Sequence, residues 1–283
     1  MKTIAITGGN GFIGGALVAY FSALGWNVRS LERREDITTT GNITRLPFDL
    51  AQAGNFDCTN IDVLIHTAYQ PILGKSSDAN INVEATKILA EITKRAGVKV
   101  VFLSTLSAHK DAESIYGKTK LEMEGMFDAK NNLILRLGLV LGKGGGLFGR
   151  ISQIIEKSSI VPLIGGNKPI QTISLDNICR IIEVGICTEI CGIYDIAHPQ
   201  VITLKTLYAE IAHSANRSPI FFPVPILPIY YLLLITEWLH LPFPFTSENV
   251  LGLKCLRAFD TTKDVAEFGI TLKNYSETLR GLS

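Results

Sequence analysis

The chain has 283 residues, a formal net charge of +1, 47% hydrophobic residues and 19% charged residues. This balance excludes a disordered chain, and without a basic excess the long-range field of a nucleic-acid-binding protein is absent. The 5 cysteines are an odd number without metal-ligand spacing. They indicate neither a disulfide framework nor a metal site, so we expect reduced thiols and a cytoplasmic protein.

Short apolar runs alternate with helix-length amphipathic segments through the first half of the chain. The predicted strands span residues 2–7, 28–31, 43–48, 63–67, 99–104 and 132–137. The predicted helices span residues 14–24, 82–96 and 114–129. This alternation is typical of an α/β fold, in which a parallel sheet is covered by helices on both faces. A strand that starts at about Lys2 leaves no room for a leader peptide.

A glycine-rich turn joins the first predicted strand to the first predicted helix. It reads Thr7-Gly8-Gly9-Asn10-Gly11-Phe12-Ile13-Gly14. A Cβ atom on the glycines at positions 8, 11 and 14 would hold a pyrophosphate away from the main-chain N–H groups at the helix N-terminus. The turn therefore predicts a dinucleotide site and a Rossmann-type, doubly wound parallel sheet.

Charged residues at the end of the second predicted strand bear on the choice of dinucleotide. Glu32 lies where an acid would accept hydrogen bonds from the adenosine ribose, and a carboxylate there repels a 2′-phosphate. Arg33 and Arg34 are placed to attract such a phosphate. The cofactor is therefore predicted to be NAD or NADP, with NAD slightly favoured.

Glycine and proline become denser after about Gly142, and the strand-like pieces become shorter. We predict a dinucleotide-binding domain over residues 1–165. Residues 166–283 are predicted to form mostly a smaller C-terminal lobe that binds the substrate, with some segments returning to the core.

The turn and the motifs after it resemble the short-chain dehydrogenase superfamily, in its extended or atypical branch, the NAD-dependent epimerase/dehydratase family. The motifs that carry the resemblance are residues 62–68, Asn82 with Thr86, Ser104-Thr105, Tyr116 with Lys120, and residues 136–142 and 173–177. They cover about residues 1–180. The chain departs from the family pattern at residues 106–109, at Ala85, where a glycine is expected, and at Gly138, where a proline is common.

Tyr116 and Lys120 are four residues apart and so lie on one face of a helix. An ammonium beside a phenol favours the phenolate, which can take a proton from a substrate hydroxyl while hydride leaves the adjacent carbon. The resemblance implies that Lys120 bonds the nicotinamide ribose and that Thr105 orients the substrate oxygen, with Ser107 or Ser104 as substitutes. The predicted cofactor-binding residues are Gly8, Asn10, Gly11, Phe12, Ile13, Gly14, Glu32, Arg33, Asp49, Thr67, Ala68, Asn82, Tyr116 and Lys120.

Two histidines are candidates for further roles. We interpret His66 as a structural residue beside the cofactor rather than as an acid or a base. His109 could reach a substrate, although the interpretation that we favour is an exposed loop histidine.

An apolar stretch over residues 221–235, with three prolines, continues into a second apolar run over residues 239–245. It falls short of the roughly 20 residues of a transmembrane helix. We interpret residues 221–245 as core of the smaller lobe, with a lid or a contact surface for a lipid or a partner as alternatives.

The resemblance implies an oxidoreductase that works with NAD or NADP by epimerisation, dehydration or net reduction, with a nucleotide sugar as the expected small-molecule substrate. One alternative is a reductase or dehydrogenase of an apolar, sterol-like alcohol or ketone, which the apolar C-terminal third favours. Another is a non-catalytic dinucleotide-binding relative that acts through a partner. A homodimer through helices of the Rossmann half is also implied.

Overall fold

The computed structural model describes residues 2–71, 76–239, 241 and 246–282. Contacts within the chain divide it into two compact units. The first unit is built from Met1–Thr105, Thr119–Arg136 and Ile178–Tyr194, and the second from Leu106–Lys118, Leu137–Asn177 and Asp195–Ser283. The functional division predicted between residues 165 and 166 stays a prediction.

The strands and helices are numbered in chain order. The strands are β1 (Thr3–Thr7), β2 (Asn27–Glu32), β3 (Thr38–Thr40), β4 (Ile43–Pro47), β5 (Val63–His66), β6 (Lys99–Thr105), β7 (Leu133–Leu137), β8 (Leu139–Leu141), β9 (Ile160–Ile164), β10 (Pro169–Ile170), β11 (Thr172–Ser174), β12 (Gly192–Ile196), β13 (Ile202–Thr203) and β14 (Ile220–Val224). The α-helices are α1 (Phe12–Ala23), α2 (Ser76–Ala96), α3 (Ile115–Glu124), α4 (Gly146–Lys157), α5 (Leu175–Cys187), α6 (Leu204–Ser214), α7 (Ile226–Trp238), α8 (Ser247–Lys254), α9 (Thr262–Ala266) and α10 (Tyr275–Arg280). A 3-10 helix spans Leu50–Asn55.

The central sheet has the strand order β12-β7-β6-β5-β1-β2-β4-β3. Strands β4, β2, β1, β5 and β6 pair in parallel with their neighbours, whereas the short β3 runs antiparallel on the edge. The strand order reverses between β1 and β5, and in doubly wound sheets ligands bind outside the carboxyl ends of the strands at this point. Since Thr7 pairs with His66 there, the residues that follow these two are the ones placed to meet a ligand.

The central strands are apolar because helices cover both faces of the sheet in the first unit. Ile4, Ala5, Leu64 and Ile65 are fully buried. Helix α2 packs its Leu89 against one face, in a cluster with Ala5 and Leu64. On the other side Tyr20 of α1 donates a hydrogen bond to Glu183 of α5. The predicted Rossmann-type arrangement is thereby confirmed, with the six predicted strands and three predicted helices of the first half present.

Several observed elements differ from the prediction: helix α2 begins at Ser76 rather than at residue 82, and the 3-10 helix over Leu50–Asn55 was not expected. Helix α3 ends at Glu124 rather than at residue 129 because Gly125 follows, and the N–H of Met126 then bonds back to Met123 in a turn. Strand β3 was not expected, since its three threonines are exposed and show no alternation between apolar and polar residues.

The second unit has a core of its own, built around α4 and α6. Phe148, Ile151 and Ile155 of α4 are buried together with Leu207 and Ile211 of α6. Strands β9 and β14 form a parallel pair beside this core.

Most of helix α7 is exposed, so the interpretation of residues 221–245 as core of the smaller lobe is wrong for this helix. Along α7 the structure buries Leu233 fully but leaves 61% of Tyr231, 54% of Ile235 and 77% of Trp238 exposed. Composition alone predicted burial, so the expectation is wrong for most of this helix. Residues 240 and 242–245 of the second apolar run lie outside the described residues. Among the described residues, none belongs to a helix with the length and apolar character that crossing a bilayer requires.

Candidate active site

The glycine turn after β1 is closed by main-chain hydrogen bonds. The N–H of Gly8 donates to the carbonyl oxygen of Leu31 at 2.9 Å, and the N–H of Gly11 donates to that of Gly8 at 2.8 Å. Gly8 has a φ of +70°, a conformation that favours glycine, and a Cβ on Gly14 would lie 2.1 Å from the carbonyl oxygen of Gly8. These glycines are therefore required by the turn itself.

The N-terminus of α1 fits a pyrophosphate. Gly11 is the N-cap and, because it lacks a side chain, it makes no capping hydrogen bond to the first turn. Among the residues that the structure describes, a Cβ on Gly11 would meet the carbonyl oxygen of Gly8, at 3.0 Å, and no other atom within 4 Å, so the other side of this position is free of these residues. The main-chain N–H groups of Phe12 and Ile13 lie in this turn and favour an anion. Asn10, which precedes the helix, is exposed.

The end of β2 holds a fixed carboxylate among arginines. Glu32 is 8% exposed and accepts a hydrogen bond from the hydroxyl of Ser30 at 2.6 Å. It also forms ion pairs with Arg45 at 3.5 Å and Arg34 at 3.8 Å. The residues beyond it line a cavity of about 670 Å³ whose walls include Arg33. Both predicted features of this subsite, the acid and the arginines, therefore occur together.

The same cavity is bordered by Asp49, another predicted cofactor-binding residue. Its carboxylate accepts a hydrogen bond from the N–H of Ala51 at 2.8 Å and so caps the 3-10 helix. The side chain is thus used to shape the cavity wall.

The substitution Glu32→Gln is expected to shift the ratio of NADP to NAD affinity towards NADP by about tenfold, since it removes a negative charge beside the 2′-position of the ribose. Arg33→Ala is expected to shift the ratio the other way. Isothermal titration calorimetry with both dinucleotides measures the two ratios. An unchanged ratio in Glu32→Gln would contradict the placement of the adenosine ribose at the end of β2.

A row of buried polar groups fixes the edge between β1 and β5. The hydroxyl of Thr86 donates to the carbonyl oxygen of Asn82, so it accepts from Nε2 of His66 at 3.2 Å. Nδ1 of His66 then accepts from the hydroxyl of Thr7 at 2.8 Å. Burial lowers the pKa of His66 to about 3. His66 is therefore a neutral structural residue, as the sequence indicated.

Thr7 and Asn82 extend this row to the loop after β5. The hydroxyl oxygen of Thr7 accepts from the N–H groups of Thr67 and Ala68, each at 3.1 Å. The side-chain amide of Asn82 bonds both the N–H and the carbonyl oxygen of Gln70, at 2.7 and 3.0 Å. The predicted cofactor residues of this loop are thus held in place by their neighbours.

Lys120 lies inside the first unit. It is 4% exposed, and its Nζ donates to the carbonyl oxygen of Leu103 at 2.8 Å and lies 4.9 and 4.7 Å from the ring centroids of Tyr69 and Phe102. Burial lowers the pKa of Lys120 to about 7, and the carboxylate of Glu124 opposes this shift. Burial therefore weakens the ammonium form of Lys120, on which the predicted activation of Tyr116 depends.

Glu124 is a residue that the sequence analysis missed. It accepts a hydrogen bond from the hydroxyl of Ser104 at 2.5 Å, and Nη2 of Arg136 bonds it at 2.6 Å. Ser104, considered as a substitute for Thr105, is thus engaged with Glu124. The spacing of Lys120 and Glu124, four residues on one helix, is the sequence signal that could have found this group.

Replacing Lys120 with methionine is expected to raise the melting temperature at pH 7, because the unfolded lysine (pKa 10.5) holds its proton more strongly than the buried one (about 7). The free-energy cost of burying a protonated Lys120 is greatest below pH 7 and disappears as the pH rises towards 10.5. The increase in melting temperature in Lys120→Met is therefore expected to be greatest below pH 7 and to vanish towards pH 10.5. Thermal unfolding at several pH values measures it. Lys94→Met, at an exposed position of α2, is the control, and a lower melting temperature for Lys120→Met at pH 7 would contradict the expectation.

Tyr116 and Ser107 belong to the second unit. Tyr116 is 39% exposed and lies in the first turn of α3, the helix that also carries Lys120. A Cβ on Gly117 would lie 2.5 Å from the carbonyl oxygen of Ser107. Glycine is therefore required at position 117 for the loop with Ser107 to pack against the start of this helix. Thr105, the other predicted hydroxyl, ends β6 in the first unit.

His109 is not the exposed loop histidine that we expected. It is 8% exposed, and its ring centroid lies 6.3 Å from that of Phe259. The loop folds back on the second unit, which local sequence does not reveal. Gly138, where the family often has proline, is explained by space, since a Cβ there would lie 2.6 Å from the carbonyl oxygen of Gln171.

The sequence profile of the NAD dependent epimerase/dehydratase family matches residues 4–145, which is half of the chain. The chain belongs to this family. This is the family that the sequence motifs indicated, and the glycine turn and the Tyr116 motif both lie within the matched residues.

A curated relative of this family member is the ceramide reductase of Caulobacter vibrioides (strain NA1000 / CB15N). The two sequences are 24% identical over 213 residues, which is 69% of this chain. The matched region spans 64% of the length of that relative.

Solved structures confirm the fold. The human epimerase family protein SDR39U1 (isoform 2), solved with NADPH, has a TM-score of 0.79 and 16% identity, and 99% of each chain is covered. The UDP-N-acetylglucosamine 4-epimerase of Bacillus cereus has a TM-score of 0.74 and 16% identity, covering 100% of this chain and 95% of the other. At this identity the likeness supports the fold alone. The predicted homodimer and cytoplasmic location stay predictions.

Proposed function

We propose that the chain is an NAD(P)-dependent oxidoreductase in which Tyr116 exchanges a proton with the substrate oxygen. The observation that carries the proposal is helix α3, on which an exposed phenol is followed four residues later by a lysine that is 4% exposed. The coenzyme, when bound, supplies or accepts a hydride at its nicotinamide ring. Tyr116 is the group that we assign to the accompanying proton.

In the oxidative direction the phenolate of Tyr116 takes the proton of a substrate hydroxyl, while the electron pair of the adjacent C–H bond leaves as hydride. In the reductive direction the phenol returns a proton to the carbonyl oxygen as the carbon gains hydride. The buried Lys120 would hold the nicotinamide ribose of a bound coenzyme and, when it is charged, would favour the phenolate. Thr105 and Ser107 orient the substrate oxygen.

The leading substrate class is a nucleotide sugar. A cavity of about 460 Å³ in the second unit is lined by Lys143, Arg150 and the glycines at positions 142, 144, 145 and 146. The N-cap of α4 beside it is Gly145, which has no side chain to cap the helix. Cationic side chains and main-chain N–H groups at a helix N-terminus suit a diphosphate. UDP-N-acetylglucosamine, the sugar nucleotide after which one structural neighbour is named, has this chemistry.

A second candidate is net reduction of an apolar ketone of the ceramide type. Two observations favour it, namely the exposed apolar side chains of α7, among them Leu227 and Trp238, and the name of the curated relative. The chemistry at Tyr116 is the same in both candidates, but the coenzyme is consumed in the second.

The test incubates the protein and its Tyr116→Phe variant with UDP-glucose or UDP-N-acetylglucosamine plus NAD, and with ceramide in mixed micelles plus NAD or NADP. A changed sugar, detected by NMR, supports the nucleotide-sugar enzyme. Absorbance at 340 nm that depends on ceramide supports the second candidate. Dinucleotide binding without turnover of any of these probes contradicts both candidates and favours the non-catalytic relative.

A further inference from the structure

The first turn of α3 is completed by a carboxylate that is distant in the sequence. Glu248 accepts hydrogen bonds from the main-chain N–H of Ile115, at 2.6 Å, and from that of Tyr116. The next N–H, that of Gly117, donates to the hydroxyl of Ser114 at 3.2 Å. The first N–H groups of a helix have no partner within the helix. Here Glu248 and Ser114 together accept hydrogen bonds from the N–H groups of residues 115, 116 and 117.

Glu248 is itself held from α7. It lies in the first turn of α8, where the N–H and the hydroxyl of the preceding Ser247 donate to the carboxylate of Glu237 at 2.6 and 2.8 Å. Thr246 and Asn249 form a capping box around the same turn. The direction from which Glu248 approaches α3 is thus fixed by two independent sets of hydrogen bonds.

The charges around Glu248 show that its placement is costly. Burial raises its pKa, and the nearby charge of Glu237 raises it further, while the hydrogen bonds from α3 and the cation of Lys118 lower it. Placing a carboxylate at a half-buried position costs free energy unless hydrogen bonds compensate for the lost water. The hydrogen bonds that Glu248 accepts from the two N–H groups of α3 offset this cost.

The main chain at Tyr116 is held on two sides. Glu248 bonds its N–H, and on the following residue Gly117 leaves just enough room for the carbonyl oxygen of Ser107. We propose that Glu248 is a positioning residue, which fixes the first turn of α3 and thereby the direction in which the Tyr116 phenol points. This inference rests on the proposed function for the role of Tyr116.

The test compares Glu248→Ala, Glu248→Gln and Asp264→Ala in the full-length protein. Asp264 accepts a hydrogen bond from the main-chain N–H of Asp195 at 2.7 Å, so its loss removes a bond of the same kind in the same unit but away from α3. Amide hydrogen exchange of residues 106–120 reports the helix start. Turnover is measured with whichever probe the unmodified protein accepts among UDP-glucose, UDP-N-acetylglucosamine and ceramide.

Glu248→Ala is expected to raise amide exchange at residues 115 and 116 and to lower kcat, each by about tenfold or more, with the KM for the dinucleotide unchanged. Glu248→Gln keeps an acceptor oxygen and is expected to restore both values to within about threefold. Asp264→Ala is expected to leave kcat and the exchange of α3 unchanged.

Equal kcat and equal exchange in Glu248→Ala and Asp264→Ala, with Tyr116→Phe inactive, would overturn the positioning role alone. A loss of kcat in Glu248→Gln as large as that in Glu248→Ala would also overturn it, because a retained acceptor should suffice. Full turnover in Tyr116→Phe would instead overturn the proposed function, and the positioning role with it.

Discussion

Replacing Tyr116 with phenylalanine is expected to lower turnover about a thousandfold, because general acid–base catalysis contributes 10²–10⁴-fold and the variant has no proton to exchange. The affinity for NAD or NADP is expected to stay the same. Tyr116 is 39% exposed, and the variant keeps its aromatic ring while it removes only the hydroxyl. Steady-state kinetics and calorimetry of the same preparation separate the two effects.

The matched control for this variant is Tyr194→Phe, which removes a half-buried phenol on β12 that donates to the carbonyl oxygen of Cys191. Its turnover should equal that of the unmodified protein. If Tyr116→Phe retained full activity, another group would have to supply the proton. The role proposed for α3 would then be abandoned.

Replacing Gly11 with valine is expected to weaken dinucleotide binding by about a hundredfold or more, or about 3 kcal/mol, while the protein stays folded. Within the described part of the chain, a Cβ at position 11 meets one main-chain atom, at 3.0 Å, so the added side chain extends to the open side where the pyrophosphate is expected. Fluorescence titration with NADH and NADPH measures the affinity, and thermal unfolding checks the fold.

Gly14→Val provides the contrast, since its Cβ would lie 2.1 Å from the carbonyl oxygen of Gly8. That variant is expected to lose about 3 kcal/mol of stability before any ligand is added. Unchanged dinucleotide affinity in Gly11→Val would show that the pyrophosphate binds elsewhere.

The first half of the chain was predictable because its signals are local. Parallel strands buried on both faces are short apolar runs, such as Ile4 to Ile6, and the glycines at 8, 11 and 14 occur where a tight turn must open a helix. The spacing of Tyr116 and Lys120 is a local signal of the same kind, and the role of this pair stays a prediction. The same spacing relates Lys120 to Glu124, one helical turn further along α3.

The rest depended on contacts between residues far apart in the chain. Glu248 meets Ile115 across 133 residues, and no pattern near either residue announces the bond. The burial of His109 depends on a loop that turns inward. Helix α7 was placed in the core because apolar composition usually means burial, but composition carries no information about which side of a helix finds a neighbour.

The hydrogen-bonded row from Thr7 through His66 and Thr86 to Asn82 has a thermodynamic consequence for coenzyme capture. Side chains that are already immobilised lose little conformational entropy when a second molecule arrives, so more of the gross interaction energy survives as affinity. Asn82 also holds Gln70 by two hydrogen bonds, so the segment after β5 should likewise lose little conformational entropy on binding. Association at this edge should therefore proceed as rigid docking, with most of the reorganisation left to the coenzyme.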